Sequence, residues 1–241
     1  MAYDSESRTS LAMGATLVKD LLNFRPEKAM RIWASDGGYL ERYHDEDVQR
    51  AIELGIPVFK AHEGIVINGR ALNHSIVAEF EKWQDALRPG SHVVLVEPAN
   101  SSNVGAIMRT ALGFGVRDLA IIKEGFDTFE PKVVRTSMGA RLGMRAEVFS
   151  SFQDYRDRFP ENNLYAFMLL DGAQGLSEVE KRAPFSLVFG NETVGLPAEF
   201  AETCQPVFIE QSEQVDSLNV AVSAALGIYA FTRACPPVAE G

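Results

Sequence analysis

Polar residues that could do chemistry occur in three turns, each beside an apolar segment of the chain. The turns lie in NSSNVGAIMRT (100–110), LVFGNETVGLP (187–197) and SEQVDSLNVAVSAALG (212–227). Their chemically capable side chains are those of Asn103, Arg109, Glu192, Ser217 and Asn219. In α/β proteins, turns at the carboxyl ends of strands form the ligand crevice. The three turns are therefore candidates for a single binding site.

Each turn also has a purely structural interpretation. Gly190 and Gly195 suit tight turns, and Asn103 is of a type common in turns. Ser217 suits a helix N-cap, and the small residues of AVSAALG (221–227) suit close helix packing. Taken one at a time, the turns do not choose between structure and function.

Familiar catalytic signatures are absent from the sequence. GFGVRD (113–118) lacks the third glycine of a dinucleotide fingerprint, and there is no P-loop or G-x-S-x-G elbow. The histidines are His44, His62, His74 and His92. Because their spacing matches no zinc motif, we expect no metal site.

The composition is that of a globular protein with an acidic balance. A formal net charge of −10 argues against non-specific coating of nucleic acid. Between Arg109 and Arg145, however, seven Lys and Arg outnumber four Asp and Glu, so this segment is either a solvated face or a local basic patch. No apolar run approaches the roughly 20 residues of a membrane helix. The N-terminus does not match a signal peptide, and Cys204 and Cys235 are expected to be reduced thiols, so we predict a cytoplasmic protein.

The apolar pattern predicts a small α/β unit, then a linker at Pro89 and Gly90, then a larger α/β domain. The elements predicted for the small unit are a helix over 11–24, a strand over 30–35, a helix over 44–55 and strands over 56–61 and 76–83.

The larger domain alternates strands with helices, which predicts a mainly parallel sheet flanked by helices. Its predicted strands cover 92–97, 118–123, 146–149, 164–171, 185–190 and 206–211. Its predicted helices cover 104–115, 133–140, 152–159, 197–204 and 217–234. The first of these helices places Arg109 one or two turns from its start.

Together the three turns resemble the motifs of the SpoU (TrmH-like) branch of the SPOUT family, RNA 2′-O-ribose methyltransferases that use S-adenosylmethionine. The matching motif residues are Asn103 and Arg109, then Gly190 and Glu192, then Ile209, Ser217, Leu218 and Asn219. VVRTSMGA (133–140) resembles a further family segment through Arg135, Ser137 and Gly139. The resemblance covers roughly residues 91–234, and three motifs in order make it specific.

The resemblance implies a fold, a cofactor and partners. The fold is an α/β methyltransferase domain over 91–241 with a C-terminal trefoil knot, through which the protein forms a homodimer. Residues 1–88 are loosely similar to a ribosomal-protein-like domain that binds substrate RNA. S-adenosylmethionine would contact Gly190, Asn191, Gly195, Ile209 and Leu218. Structured tRNA or rRNA would be the substrate, with Arg135 and Arg141 on its path.

The resemblance also implies that Arg109 activates the ribose hydroxyl, with Asn103, Glu192, Ser217 and Asn219 completing the catalytic group. A guanidinium keeps its proton at neutral pH because its pKa exceeds about 12. Two versions therefore stay open. Arg109 clamps the adjacent phosphate and polarises the hydroxyl, or a neighbouring phosphate assists the proton transfer.

Two positions depart from the family pattern: Thr193 stands where glycine is common, and Glu210 stands where proline is common. Both bear on how tightly the cofactor is held. The competing hypotheses are a catalytically idle RNA-binding protein on the same scaffold and a base methyltransferase of the wider group.

Overall fold

A computed structural model describes residues 4–35, 45–61, 65–67, 70–72, 74–212 and 214–237. Contacts divide the chain into two compact units. Unit 1 comprises Met1–Trp83 and Asp127–Gly143, and unit 2 comprises Gln84–Phe126 and Met144–Gly241. His44 and His62 lie outside the described residues.

Unit 1 contains a four-stranded sheet in the order β1-β6-β2-β3, and a separate β4–β5 hairpin. Its N-terminal elements are β1 (Thr9–Met13), α1 (Ala15–Phe24), β2 (Ala29–Ser35), α2 (Asp45–Glu53), β3 (Val58–Ala61), β4 (Ile65–Ile67), β5 (Arg70–Leu72) and β6 (Ile76–Glu81). The helix predicted over 11–24 is wrong at its start, because residues to Met13 form a strand. Alternate residues Ser10 and Ala12 are buried there, and Gly14 (φ 99°) separates strand from helix.

Unit 2 contains a seven-stranded sheet in the order β11-β13-β10-β12-β7-β8-β9, and its neighbouring strands are all parallel. The elements that follow β6 are β7 (His92–Val96), α3 (Ser101–Gly113), β8 (Asp118–Ile122), α4 (Pro131–Thr136), α5 (Ala140–Gly143), β9 (Arg145–Phe149), α6 (Phe152–Arg158), β10 (Asn163–Phe167), β11 (Gln174–Gly175), β12 (Phe185–Phe189), β13 (Gln205–Phe208) and α7 (Val220–Ala234). The predicted α/β fold with a mainly parallel sheet is confirmed. The knot stays a prediction.

Strands β7, β8 and β12 are buried along their whole length, which explains their nearly continuous apolar sequences. Several predicted elements differ from the structure. The strand predicted over 164–171 ends at Phe167, and the helix predicted over 197–204 is a short 3-10 helix, Ala198–Glu202. The C-terminal helix begins at Val220 because Asn219 caps it. Among the described residues, no helix is both long and apolar enough to span a membrane.

The connection between β8 and β9 belongs to unit 1, although both strands belong to unit 2. Its buried side chains Phe129, Val134 and Leu142 join the core formed by α1 and the four-stranded sheet. The helix predicted over 133–140 ends at Thr136, and Met138 then adopts φ 49°. By contacts, unit 1 is therefore built from two separate chain segments. The functional division at 88–91 stays a prediction.

A buried polar network lies where the strands of unit 2 begin, which we term the amino edge. His92, Tyr155 and Ser186 are fully buried. The Tyr155 hydroxyl lies 2.8 Å from His92 Nδ1 and 2.5 Å from Ser186 Oγ. His92 Nε2 lies 2.7 Å from the Arg88 carbonyl oxygen, and Asn162 donates to Ser186. The hydrogen-bonding groups of this network are satisfied inside the protein.

Candidate active site at the carboxyl edge

A cavity of about 320 Å³ lies in unit 2 beside the residues at which β10, β12 and β13 end. We term this side of the sheet the carboxyl edge. All five predicted cofactor residues line the cavity: Gly190, Asn191, Gly195, Ile209 and Leu218. Two predicted catalytic residues, Glu192 and Ser217, also line it. The structure therefore brings the second and third turns of the sequence together around one space.

The turn after β12 folds back tightly on itself. A Cβ atom added at Gly190 would lie 2.3 Å from the carbonyl carbon of Gly195 and 2.5 Å from the nitrogen of Leu196. Gly195 has φ +71°, a left-handed conformation that side chains rarely adopt. The geometry therefore requires glycine at both positions. Because this turn, which we term the fold-back, carries no side chain at these positions, its backbone groups line the cavity.

Asn191 joins this turn to the end of β7. Its Nδ2 donates to the carbonyl oxygen of Glu97 at 2.8 Å. Its Oδ1 accepts from the backbone nitrogens of Thr193 at 2.8 Å and Val194 at 3.3 Å. Both the oxygen and the nitrogen of the Asn191 amide group therefore hold the loop. Asn side chains commonly form such hydrogen bonds to the backbone two residues further on.

The carboxylate of Glu192 fastens the first turn to the second. It accepts from the backbone nitrogens of Ala99 at 2.9 Å and Asn100 at 3.0 Å, and from Asn103 Nδ2 at 3.0 Å. Partial burial acts to raise the pKa of Glu192, but these hydrogen bonds together outweigh it, and the pKa lies below its ordinary value. Glu192 is therefore a carboxylate at neutral pH.

The same network continues to the third turn. Asn219 Nδ2 donates to Asn103 Oδ1 at 3.3 Å, and Asn219 Oδ1 accepts from the nitrogen of Ala221 as the N-cap of α7. The N-cap is thus Asn219, whereas Ser217, for which that role was an alternative, is exposed and borders the cavity. Glu192, Asn103 and Asn219 form one chain of hydrogen bonds across the three turns.

Arg109 lies further along its helix than the sequence suggests. Because Asn100 caps α3 and the helix begins at Ser101, Arg109 is more than two turns from the start. It follows Asn103 by six residues, which places it about 120° around the helix axis from Asn103. Its side chain is exposed and makes no hydrogen bond or ion pair with any residue in the described parts of the chain. Arg109 can therefore accept an external anion.

The two arginines predicted on the RNA path differ in exposure. Arg135 is exposed at the end of α4. Arg141 has no exposed surface: its Nε donates to Thr128 Oγ1 at 2.9 Å, and its guanidinium lies 3.8 Å from the ring centre of Phe129. Both residues belong to unit 1. In this conformation Arg141 offers RNA no surface, so of the pair only Arg135 is accessible.

The sequence model of the SpoU rRNA Methylase family matches residues 90–229, more than half of the chain. The chain belongs to the SpoU rRNA Methylase family. A tRNA/rRNA methyltransferase of Synechocystis sp., named as uncharacterized, is 32% identical over 143 residues. That alignment covers 58% of this chain and 52% of the relative, so the chain spans about half of that protein.

Two further similarities extend over more of the chain. The Bacillus subtilis protein named 23S rRNA (guanosine(2553)-2′-O)-methyltransferase is 28% identical over 185 residues, which are 74% of this chain and 73% of the relative. The crystal structure of an AdoMet-bound rRNA methyltransferase from Sinorhizobium meliloti matches with a TM-score of 0.79 and 23% identity. That match covers 95% of this chain and 89% of the other, and it shows a shared fold.

The two departures from the SpoU pattern have different surroundings. Thr193 lines the cavity. Glu210 is not among the lining residues; its carboxylate accepts from the backbone nitrogen of Ser177 at 2.9 Å and from the Ser177 hydroxyl. These hydrogen bonds lower the pKa of Glu210. Glu210 thus fastens the segment after β11 instead of facing the cavity.

One wall of the cavity is formed by residues that the sequence motifs do not include. Phe167, the last residue of β10, lines the cavity together with Met168 and Leu169, which follow the strand. The only available signal was the apolar run LYAFMLLD, which extends beyond a typical strand of five or six residues. In the described parts of the chain, no group of three or more His, Cys, Asp or Glu side chains could hold a metal ion.

Proposed function

We propose that this chain transfers the methyl group of S-adenosylmethionine to a ribose 2′-hydroxyl of a structured rRNA or tRNA. The observation that carries the proposal is the chain of hydrogen bonds from Glu192 through Asn103 to Asn219 beside the cavity of a SpoU family protein. The relative from Bacillus subtilis is named for this reaction on 23S rRNA.

The cavity suits S-adenosylmethionine in size and lining. About 320 Å³ falls at the lower end of the range for small-molecule pockets. Leu196, Ile209 and Leu218 offer apolar surface, while the fold-back at Gly190 offers backbone donors and acceptors. S-adenosylmethionine would supply a methyl group bonded to a positively charged sulfur. Gly190, Asn191, Gly195, Ile209 and Leu218 would hold it, and the protein's task is then to position the ribose.

Glu192 acts as a clamp in this proposal and not as a general base. A base works best when its pKa lies near the operating pH, whereas the pKa of Glu192 is lowered. Both of its oxygens are already occupied by donors from the first turn. Its role is to fix Asn103 and the backbone at Ala99 and Asn100 in place. Asn103, Ser217 and Asn219 then offer neutral donors and acceptors to the ribose and its phosphates.

Arg109 is assigned to the substrate phosphate. It is exposed and makes no hydrogen bond or ion pair within the described residues, and a guanidinium can bind a phosphate through two parallel hydrogen bonds. Bound in this way it would orient the adjacent ribose and polarise its hydroxyl. Arg135, exposed in unit 1, would contribute to the RNA path.

The protein is further proposed to be a cytoplasmic homodimer that associates through the C-terminal knotted region. Val222, Leu226 and Tyr229 lie on one face of α7 at helical spacing and are 41–53% exposed. Phe114, 40% exposed, extends this stripe through a ring contact with Tyr229 at 5.7 Å. An exposed apolar stripe on a helix is typical of a protein–protein interface.

The function is tested by transfer of a labelled methyl group from S-adenosylmethionine to total tRNA and, separately, to unmodified rRNA. Digestion of the product to nucleosides distinguishes ribose from base methylation. We expect label in 2′-O-methylated nucleosides of one RNA pool and its loss in Arg109→Ala. Arg182→Ala, which removes an exposed arginine paired with Glu180, is the matched control and should retain activity.

Absence of label in both pools, with RNA still bound, would contradict the enzyme and favour the catalytically idle RNA-binding protein. Label on bases alone would favour the base methyltransferase.

A further inference from the structure

The four-stranded sheet of unit 1 carries an apolar row on the face opposite its buried core. Register pairs Met13 with Val77, Val77 with Trp33, and Trp33 with Phe59, so the row crosses all four strands. The neighbouring residues Ile32 and Ala34 point to the other face and are buried in the core. Val77, in the middle of the row, is fully buried although it lies outside that core, so the row is open at Trp33 and Phe59 and closed at Val77.

The row ends in two accessible aromatic rings. Phe59 is 49% exposed and Trp33 is partly exposed. Their ring centres are 6.3 Å apart and their planes are inclined by 30°. The guanidinium of Arg31, on the same strand as Trp33 and the same face, lies 5.5 Å from the indole centre. We term Arg31, Trp33 and Phe59 the aromatic platform.

We propose that the aromatic platform binds an unpaired base of the RNA by stacking. This inference rests on the proposed function for the presence of RNA. Unstacked bases bind to aromatic rings and to guanidinium planes, and a four-stranded sheet with exposed aromatic residues is one scaffold that presents such rings. Trp33, Phe59 and Arg31 offer both kinds of surface within one short stretch of sheet.

A protein partner fits the platform less well than RNA does. Stable protein interfaces bury about 800 Å² on each partner around an apolar centre. Here the apolar row is one residue deep on β2 and β6, because the next row along these strands holds the Arg31–Glu79 ion pair at 2.5 Å. The narrow apolar row can contact a planar base, and the charged pair beside it can lie next to the polar sugar–phosphate chain.

The test is the dissociation constant of a fluorescein-labelled, eight-nucleotide single-stranded RNA, measured by fluorescence anisotropy with the full-length protein. Trp33→Leu and Phe59→Leu keep apolar bulk but remove the ring, whereas Trp33→Phe keeps a ring. Because stacking contributes about 1–3 kcal/mol per base, each Leu variant should bind roughly 5- to 150-fold more weakly. Trp33→Phe should retain most of the affinity.

Salt dependence separates stacking from charge contacts. The Leu variants remove no charge, so the slope of log affinity against log salt should be unchanged, whereas Arg135→Glu should reduce it. Ile52→Ala, at a residue of α2 that is 55% exposed, is the matched control and should bind like wild type. Thermal unfolding of every variant checks that each is folded.

Unchanged affinity in both Leu variants would overturn the platform, and so would equal losses in Trp33→Phe and Trp33→Leu. A change of oligomeric state without loss of RNA affinity would also overturn it, and would assign the row to a protein contact. Methyl transfer by wild type is measured in parallel, so that the two proposals can fail separately. If wild type methylates RNA and the Leu variants bind RNA normally, only the aromatic platform is refuted.

Discussion

The two ends of the parallel sheet in unit 2 both carry polar networks, but they differ in how those networks are completed. At the amino edge, His92, Tyr155 and Ser186 are fully buried and satisfy one another. At the carboxyl edge, Glu192, Asn103 and Asn219 satisfy one another beside an open cavity. We propose from this difference that the first network stabilises the fold, while the second positions groups for a ligand.

The largest expected effect comes from a substitution at Gly190, where two backbone segments of the carboxyl edge lie in close contact. Gly190→Ala places a Cβ 2.3 Å from backbone atoms of Gly195, which cannot yield without moving the turn. We expect the kcat/KM of methyl transfer to fall about 100-fold or more, because a displacement of about 1 Å in a site reduces the rate by that much. Gly113→Ala, where nothing lies within 4 Å, is the control. Normal activity of Gly190→Ala would show that the fold-back is not needed.

A second change breaks the carboxyl-edge network while keeping its shape. Glu192→Gln replaces one accepting oxygen by an NH₂ group, which then faces a backbone N–H of Ala99 or Asn100. A mispaired group of this kind costs about 1–3 kcal/mol, so kcat/KM should fall roughly 5- to 150-fold. Glu199→Gln, at an exposed glutamate, should leave activity unchanged. Equal activity in the two variants would contradict the clamp.

The corresponding change at the amino edge should affect stability and not activity. Tyr155→Phe removes the hydroxyl between His92 and Ser186 and leaves both short of a partner. We expect the free energy of unfolding in urea to fall by about 1–3 kcal/mol. At a temperature where the variant is folded, kcat/KM should stay within about twofold of wild type, since none of the hydrogen bonds given above for the network joins it to a residue that lines the cavity. If Tyr155→Phe lost activity while its stability was unchanged, the proposed difference between the two edges would be wrong.

The smallest expected effect is the pH dependence of the amino edge. Burial, opposed by the hydrogen bond with Arg88 and the charge of Asp118, lowers the pKa of His92. The His92 imidazole of the unfolded chain takes up a proton near the ordinary pKa of about 6.5, whereas that of the folded chain takes it up only at a lower pH. The free energy of unfolding should therefore decrease as pH falls from about 7 toward 5.5. His92→Gln should reduce the slope of the free energy of unfolding against pH in this range. An identical slope in the variant would show that other groups cause the pH dependence.

Local sequence predicted the strands that carry the site, because β7, β8 and β12 are buried on both faces and read as apolar runs. It also indicated a tight turn at Gly190 and Gly195, since tight turns demand particular residue types, whereas the selection of Glu192 depended on the resemblance to the SpoU motifs. It could not predict that Phe129, Val134 and Leu142 join the core of unit 1, because that depends on contacts distant in sequence. The same contacts bury Arg141, which local charge alone places at the surface.

The most direct test of the account compares the two edges in one assay. Wild type, Glu192→Gln and Tyr155→Phe, each at matched folded fraction, are given labelled S-adenosylmethionine and the RNA pool that wild type methylates. The account predicts label in 2′-O-methylated nucleosides with wild type and Tyr155→Phe, and a roughly 5- to 150-fold lower rate with Glu192→Gln. Equal losses in both variants, or label that never reaches the ribose, would contradict it.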